Sequence, residues 1–265
     1  MRLLLSLILA FTVAPVFADD APPETGVILS RTYDFKEAGR PMEYALYVPK
    51  HYNKKKATPL VILLHGLGSN PQQVIHYAGI AEQAEKRGFI VAAPFGYNSG
   101  GWYGARGQGK EFGGRLPKAA NDAPDNLGEL SEKDVLNVLE LMRHEFNVDP
   151  KRTYLMGHSM GGGGSLYLGM KYPDNWAALA ALAPAIYSDP AEVEKIREMP
   201  IIVVQGDADT LVPVANTRRW VAKLDELKVP HQYLEIAGGN HFDTITRNPQ
   251  MIEEVFAFLA KQKKR

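Results

Sequence analysis

The sequence predicts a single α/β domain on a mostly parallel, doubly wound sheet that opens with an antiparallel hairpin. Three observations carry this expectation. Continuous apolar runs at 60–64, 89–93, 176–182 and 201–204 read as strands buried on both faces. Between them lie stretches with apolar residues at helical spacing, such as Val135, Val138, Leu139, Met142 and Phe146. Across the 265 residues no internal repeat appears and no compositional break marks a second domain.

In chain order, residues 1–18 read as a leader peptide. Met1-Arg2 is a short basic start, Leu3 to Val13 is almost wholly apolar, and Val16-Phe17-Ala18 offers small residues for cleavage before Asp19. The apolar run is too short to span a bilayer comfortably. The expectation is therefore an exported domain, 19–265, in the periplasm or the medium, with no stable membrane insertion after cleavage. Val27 to Phe35 and Glu43 to Val48 alternate as the two hairpin strands, with Gly39-Arg40-Pro41 in the turn. Tyr44, Leu46 and Val48 fall on one face, Ala45 and Tyr47 on the other. The lysine-rich stretch before Thr58 reads as a solvated loop.

Leu60 to Leu64 ends in His65-Gly66-Leu67-Gly68. Asn70-Pro71 then caps and starts one helix with the stripe Val74, Ala78, Ala81 and Ala84, stopped by Gly88. Phe89 to Ala93 is the next strand. Residues 95–130 have no clean period but are rich in Gly, Asn and aromatics, including Trp102, Tyr103 and Phe112. A long irregular stretch in a compact domain is usually functional or disordered. Ser131 and Asp134 match a capping box at the head of the Val135 helix, and Asp149-Pro150 closes that helix off. A strand at 153–156, a helix at 165–172 and the strand at 176–182 follow. After them come a short helix at 190–197, the strand at 201–204 and a helix at 214–227. Gln232 to Ile236 is the last strand, and Pro249 starts the C-terminal helix.

Composition removes several function classes. Thirty basic residues balance thirty acidic ones, so neither nucleic acid nor an anionic membrane surface is an expected partner. With no cysteine, disulfides, thiolate metal sites and a cysteine nucleophile are excluded. No H-x-H, H-E-x-x-H or carboxylate cluster points to a metal, and no cofactor is expected.

The chemistry centres on Gly157-His158-Ser159-Met160-Gly161, a G-x-S-x-G between a β-prone run and a helix-compatible one. Such a turn lifts the serine hydroxyl off the sheet. Small residues are needed two positions either side, where strand and helix backbones nearly touch. A serine hydroxyl is a poor nucleophile unless an imidazole takes its proton, and the imidazole needs a carboxylate to fix its tautomer. Ser159, Asp209 and His241 lie at strand ends in the order nucleophile, acid, base. Asp209 is chosen over Asp207 because Gly206 to Pro213 has the form G-x-x-D-x-x-V-P; Asp207 is expected to brace the loop. Gly161 to Gly164 lacks the Lys and Ser/Thr of a phosphate loop, and close helix–sheet packing explains the run better.

Together His65-Gly-Leu-Gly68, the serine pentapeptide, Asp209, His241 and the strand–helix alternation resemble the α/β-hydrolase superfamily over nearly the whole exported length. Asp149 to Tyr154 and Lys171-Tyr-Pro-Asp174 resemble two neighbouring groups. One is the secreted feruloyl esterase and poly(hydroxyalkanoate) depolymerase type; the other is the prolyl-oligopeptidase-like and dienelactone hydrolase catalytic domain. The resemblance implies a serine carboxylic-ester hydrolase that acts on a small or polymer-derived ester through an acyl-enzyme. The amides of Leu67 and Met160 would hold the oxyanion. Trp102 and Tyr103 are candidates either for the substrate wall or for packing the loop onto the domain. A peptidase or amidase using the same triad, and a non-catalytic binder on the same scaffold, are the alternatives.

Overall fold

The computed structural model describes residues 24–107 and 123–264. The expected leader at 1–18, and Phe112 within the irregular stretch, lie outside the described residues.

Eight strands form one sheet: β1 (Ile28–Phe35), β2 (Arg40–Tyr47), β3 (Thr58–Leu64), β4 (Ile90–Pro94), β5 (Val148–His158), β6 (Ala178–Leu182), β7 (Ile201–Gly206) and β8 (His231–Ile236). The helices are α1 (Pro71–Ile75), α2 (Ile80–Arg87), α3 (Leu127–Glu145), α4 (Met160–Lys171), α5 (Val214–Glu226), α6 (Asp243–Thr246) and α7 (Pro249–Ala260). The strand order is β1-β2-β4-β3-β5-β6-β7-β8. β1/β2 and β2/β4 pair antiparallel, and every pair from β4/β3 to β7/β8 is parallel.

This is the predicted doubly wound sheet, and the reason shows in β3. All seven of its residues are buried, because alternate side chains enter opposite cores. Leu60, Ile62 and Leu64 join Val135 and Val138 of α3, Leu166 of α4 and Trp220 of α5. Val61 and Leu63 join Val74, Ile80 and Phe256 on the α1, α2 and α7 side. β2 divides as expected, with Tyr44 and Leu46 in the first core and Ala45 and Tyr47 in the second.

Several local expectations need correction. The hairpin reverses through a single helical turn at Lys36–Ala38, with Gly39 at φ 63°. Arg40 and Pro41 belong to β2, opposite Phe35 and Asp34. Pro41 is tolerated because the β2/β4 ladder begins only at Tyr44, so the missing N–H leaves no second neighbour unbonded. Asp149 and Pro150 lie inside β5, where the pairing with β3 shifts register between Thr58 and Leu60. The single helix expected after Pro71 is two, divided where Gly79 takes φ 97°. The Asn70 cap is present, its side chain accepting the Gln73 N–H at 2.9 Å.

The capping box at Ser131 and Asp134 is not one, since α3 begins four residues earlier. Both side chains are buried and hold the preceding loop instead. Ser131 Oγ accepts the Tyr103 N–H at 3.0 Å. Asp134 accepts the Gly96 N–H at 2.6 Å and the Tyr33 hydroxyl at 2.5 Å.

The crossover places one crevice. From β3 the chain winds outward to β4, then returns to the other side of β3 as β5. Between β3 and β5 the winding reverses, and in open α/β sheets ligand crevices form at the carboxyl ends of strands at such a point. Leu64 pairs with Gly157 there, so the loop after β3 and the turn after β5 leave the sheet at the same level.

Candidate active site

Ser159 occupies the turn between β5 and α4, at φ 57° and ψ −115°. This is a sparsely populated conformation for a residue with a side chain, and such strain persists only where the surroundings enforce it. Here they do. The Ser159 N–H donates to Leu182 O at 2.8 Å, and its carbonyl accepts from Ala185 and Gly163. The glycines show how tightly helix meets strand. A Cβ on Gly157 would strike the backbone carbonyl of Gly161, and one on Gly161 would strike the carbonyls of Leu64 and, at 2.7 Å, His65. Neither obstacle is a side chain that can turn away. Gly161→Ala is therefore expected to lower stability by about 3 kcal/mol or more, despite alanine's better helix propensity. Chemical denaturation of the purified variant checks this, and a loss under 1 kcal/mol would refute the close-packing account.

The structure brings Ser159, His241 and Asp209 together in one hydrogen-bonded row. His241 Nε2 is 2.9 Å from Ser159 Oγ, and its Nδ1 is 2.6 Å from Asp209 Oδ2. Asp209 and His241 are both buried. Their strands explain the meeting: β7 and β8 pair parallel through Gly206 and Ile236, so the loops carrying both residues emerge side by side. Asp209 is fixed by three further donors. The Leu211 and Val212 N–H groups reach Oδ1 at 2.8 and 2.9 Å, and Gln205 Nε2 reaches Oδ2 at 2.8 Å. Thr217 of α5 donates in turn to Gln205 Oε1 at 2.9 Å. Sequence reasoning passed over Gln205; its signal was its place directly before Gly206 at the head of the acid loop. Asp207, the rejected acid, accepts the Gly238 N–H at 2.6 Å and braces the loop that carries His241.

The loop after β3 adjoins this row. Gly66 lies against the serine, since a Cβ there would sit 3.4 Å from Ser159 Cβ. Leu67, next in that loop, is exposed. Met160 is the first residue of α4, where N–H groups have no intrahelical acceptor and the helix dipole is positive. His65 is fully buried, with its ring nitrogens 2.8 and 2.7 Å from the carbonyls of Gly66 and Phe95, and burial holds its imidazole below the ordinary range. Its side chain ties the β3 loop to the β4 loop. Trp102 and Tyr103 are both buried. The Tyr103 ring packs on Gly164 and its hydroxyl donates to His65 O at 3.2 Å. Of the two readings left open for Tyr103, the structure favours packing beneath the loop.

His158, inside the pentapeptide, is buried under the row. Its Nε2–H donates to the carbonyl of His241 at 3.1 Å, and its Nδ1 accepts from the Tyr77 hydroxyl at 3.1 Å. Burial, then the neighbouring His241, push its imidazole down to about 3, so it stays neutral with one proton to donate. Among the described residues no group of His, Asp and Glu side chains gathers to hold a metal ion. No helix among them is long and apolar enough to cross a membrane.

Comparison with known proteins fits this geometry. A solved structure titled as a thermostable esterase superposes with a TM-score of 0.67 at 26% identity, covering 89% of this chain and 63% of that one. A ferulic acid esterase superposes with a TM-score of 0.68 at 18% identity, over 89% and 98%, a likeness that speaks for the fold. The S-formylglutathione hydrolase of Rattus norvegicus is 29% identical over 146 residues, 54% of this chain and 51% of that protein. Cutinase 1 of Thermobifida cellulosilytica is 33% identical over 95 residues, 36% and 35% of the two chains. The chain spans about half the length of the curated relatives it matches first. The model of the Esterase family matches residues 36–255, which takes in every strand but the first and the whole Ser159–His241–Asp209 row, and the chain belongs to that α/β-hydrolase family.

Proposed function

We propose that this chain hydrolyses carboxylic esters through a Ser159–His241–Asp209 triad and a covalent acyl-enzyme. The observation that carries the reading is the row itself: a strained, outward serine 2.9 Å from an imidazole whose far nitrogen is 2.6 Å from a four-donor carboxylate. In this mechanism His241 Nε2 takes the Ser159 proton as Oγ attacks the ester carbonyl. The Leu67 and Met160 amides stabilise the oxyanion. The proton passes from His241 to the leaving alcohol. Water, deprotonated by the same imidazole, then releases the acid and restores the serine. Esterases, cutinases and S-formylglutathione hydrolases among the relatives support acyl transfer from oxygen or sulfur.

The rim supports an ester with an apolar part. Among the described residues, the exposed large hydrophobic side chains are Val27, Leu67, Tyr187, Leu211 and Phe242. All but Val27 stand on the loops after β3, β6, β7 and β8, around Ser159. Rates on short p-nitrophenyl esters, methyl ferulate and an aminoacyl p-nitroanilide, each against Ser159→Ala, test the reading. Ester turnover with little anilide cleavage is expected; efficient anilide cleavage would move the chain to the peptidases.

His158 is the positioning residue of this scheme, because it fixes the backbone from which His241 projects. His158→Phe removes the donor to His241 O and the acceptor of the Tyr77 hydroxyl, which keeps Ser69 as a partner. It is expected to lower kcat about tenfold with little change in KM, and stability by about 1–3 kcal/mol. His158→Gln, which keeps an N–H donor, should recover much of the rate. A purely space-filling role would give equal rates for both variants. We further infer that the chain works after export, on the strength of the leader read in residues 1–18. N-terminal sequencing of protein recovered outside the cytoplasm should begin at Asp19, and a retained Met1 there would contradict cleavage.

A further inference from the structure

We propose that Arg106 anchors an anion-binding subsite beside Ser159, and that the esters turned over best carry a carboxylate remote from the scissile bond. The proposal rests on the ester-hydrolase reading for its substrate class, and on its own geometry for the site.

The Arg106 guanidinium is held between two aromatic rings from different loops. Its Cζ lies 3.9 Å from the Trp102 ring centroid and 4.7 Å from that of Tyr187. Both loops leave the carboxyl end of the sheet, one after β4 and one after β6. Its Nε is buried without a hydrogen-bond partner. Arg31, Arg143, Arg152, Arg218 and Arg247 each meet a carboxylate within ion-pair distance. Arg40, Arg197 and Arg219 meet no carboxylate but each donates to a carbonyl or amide oxygen; Arg106 does neither among the described residues. With acids and bases equal in number, a shortage of carboxylates does not explain this.

The cation is tied to the nucleophile through backbone. Tyr187 is two residues past Ala185, whose N–H donates to Ser159 O at 2.9 Å. Trp102 adjoins Tyr103, which packs on Gly164 of α4 and bonds His65 O at the oxyanion loop. Arg106 thus stands at the α4 flank of the same crevice. Tyr187 is exposed, so the clamp opens to solvent.

The chemistry selects the ligand. Rings stacked on a guanidinium occupy its faces and leave its N–H edge free. That edge presents parallel donors to a planar acceptor of two oxygens, and a carboxylate matches it bidentately. A half-ester of a dicarboxylic acid, or an ester with an acid group on its leaving side, supplies that carboxylate.

The test compares kcat/KM for matched esters. The p-nitrophenyl half-esters of succinic, glutaric and adipic acid place the carboxylate on the acyl side, and 4-carboxyphenyl butyrate places it on the leaving side. Each is run against its methyl-ester twin. At least one pair should favour the carboxylate about tenfold, the scale of one charge-assisted bidentate contact. In Arg106→Met that ratio should fall to about one, and Arg106→Lys should keep part of it. An arginine that only pins Trp102 to Tyr187 would leave the ratio unchanged in Arg106→Met. That result, or no carboxylate preference in any wild-type pair, overturns the proposal. A second readout is independent of turnover. Titrating Ser159→Ala with adipate should change tryptophan fluorescence saturably, and the change should vanish when Arg106→Met is added. An absent or Arg106-independent response overturns the subsite. No Ser159-dependent hydrolysis of any ester, by contrast, would sink the ester reading while the adipate titration still decides the subsite.

Discussion

Alanine at position 159 is expected to reduce ester kcat/KM by about four orders of magnitude or more, with KM little changed and the fold intact. The size follows from what is removed. Without Oγ there is no covalent path, and His241 loses the group whose proton it accepts at 2.9 Å. In the proposed mechanism what would survive is the oxyanion site and substrate binding, which in serine hydrolases leave only a small remnant above the uncatalysed rate. Stability should hold, because Ser159 is fixed through its backbone: its N–H bonds Leu182 and its carbonyl bonds Ala185 and Gly163. Labelling by a fluorophosphonate probe should disappear in the same variant. Turnover within tenfold of wild type, after exclusion of a contaminating esterase, would end the triad mechanism.

Asp209→Asn is expected to lower kcat by about four orders of magnitude, the scale seen when a triad carboxylate becomes an amide. The structure gives a specific cause. All four groups facing Asp209 are donors: the amides of Leu211 and Val212, Gln205 Nε2 and His241 Nδ1. The asparagine oxygen would settle on the Leu211 and Val212 amides. Its NH2 would then face Gln205 Nε2 and His241 Nδ1, donor against donor. His241 relieves this by moving its proton to Nε2, the nitrogen that must be free to accept from Ser159. A leftover conflict with Gln205 should lower stability by about 1–3 kcal/mol. Single-turnover kinetics and a denaturant titration separate the two effects. Near-normal kcat would show that Asp209 only braces its loop.

The row was legible in the sequence because each member sits at a strand end beside a local signal: paired glycines around Ser159, G-x-x-D for Asp209, a glycine-rich loop before His241. Parallel pairing then does the rest, since strands in register deliver their loops to one edge. What stayed hidden depends on contacts distant in sequence. Ser131 and Asp134 match a capping box, yet their partners are Tyr103, Gly96 and Tyr33. No local pattern distinguishes a polar residue that caps its own helix from one that holds another segment's backbone. The split at Gly79 was masked because Val74 and Ala81 remain in one helical stripe across it. Pro41 reads as part of the hairpin turn and Pro150 as the stop after the Val135 helix, but each lies within a strand, where the ladder is one-sided or shifted. The direction in which Tyr103 faces is set by Gly164 of α4, which leaves room for its ring, a tertiary matter throughout.

Asp134 has one more consequence. One of its oxygens holds Tyr33 in the outermost strand and the other holds Gly96 in the loop that runs to Trp102 and Arg106. The front edge of the polypeptide is thus latched to the mouth of the crevice, across β2 and β4. A protease that clips ahead of β1 leaves the latch closed, whereas a cut after Tyr33 releases it. The expected outcome of such nicking is a protein that still folds around β3 to β8 but whose crevice has lost the register of one wall, so trimming at the amino end would be felt as altered selectivity.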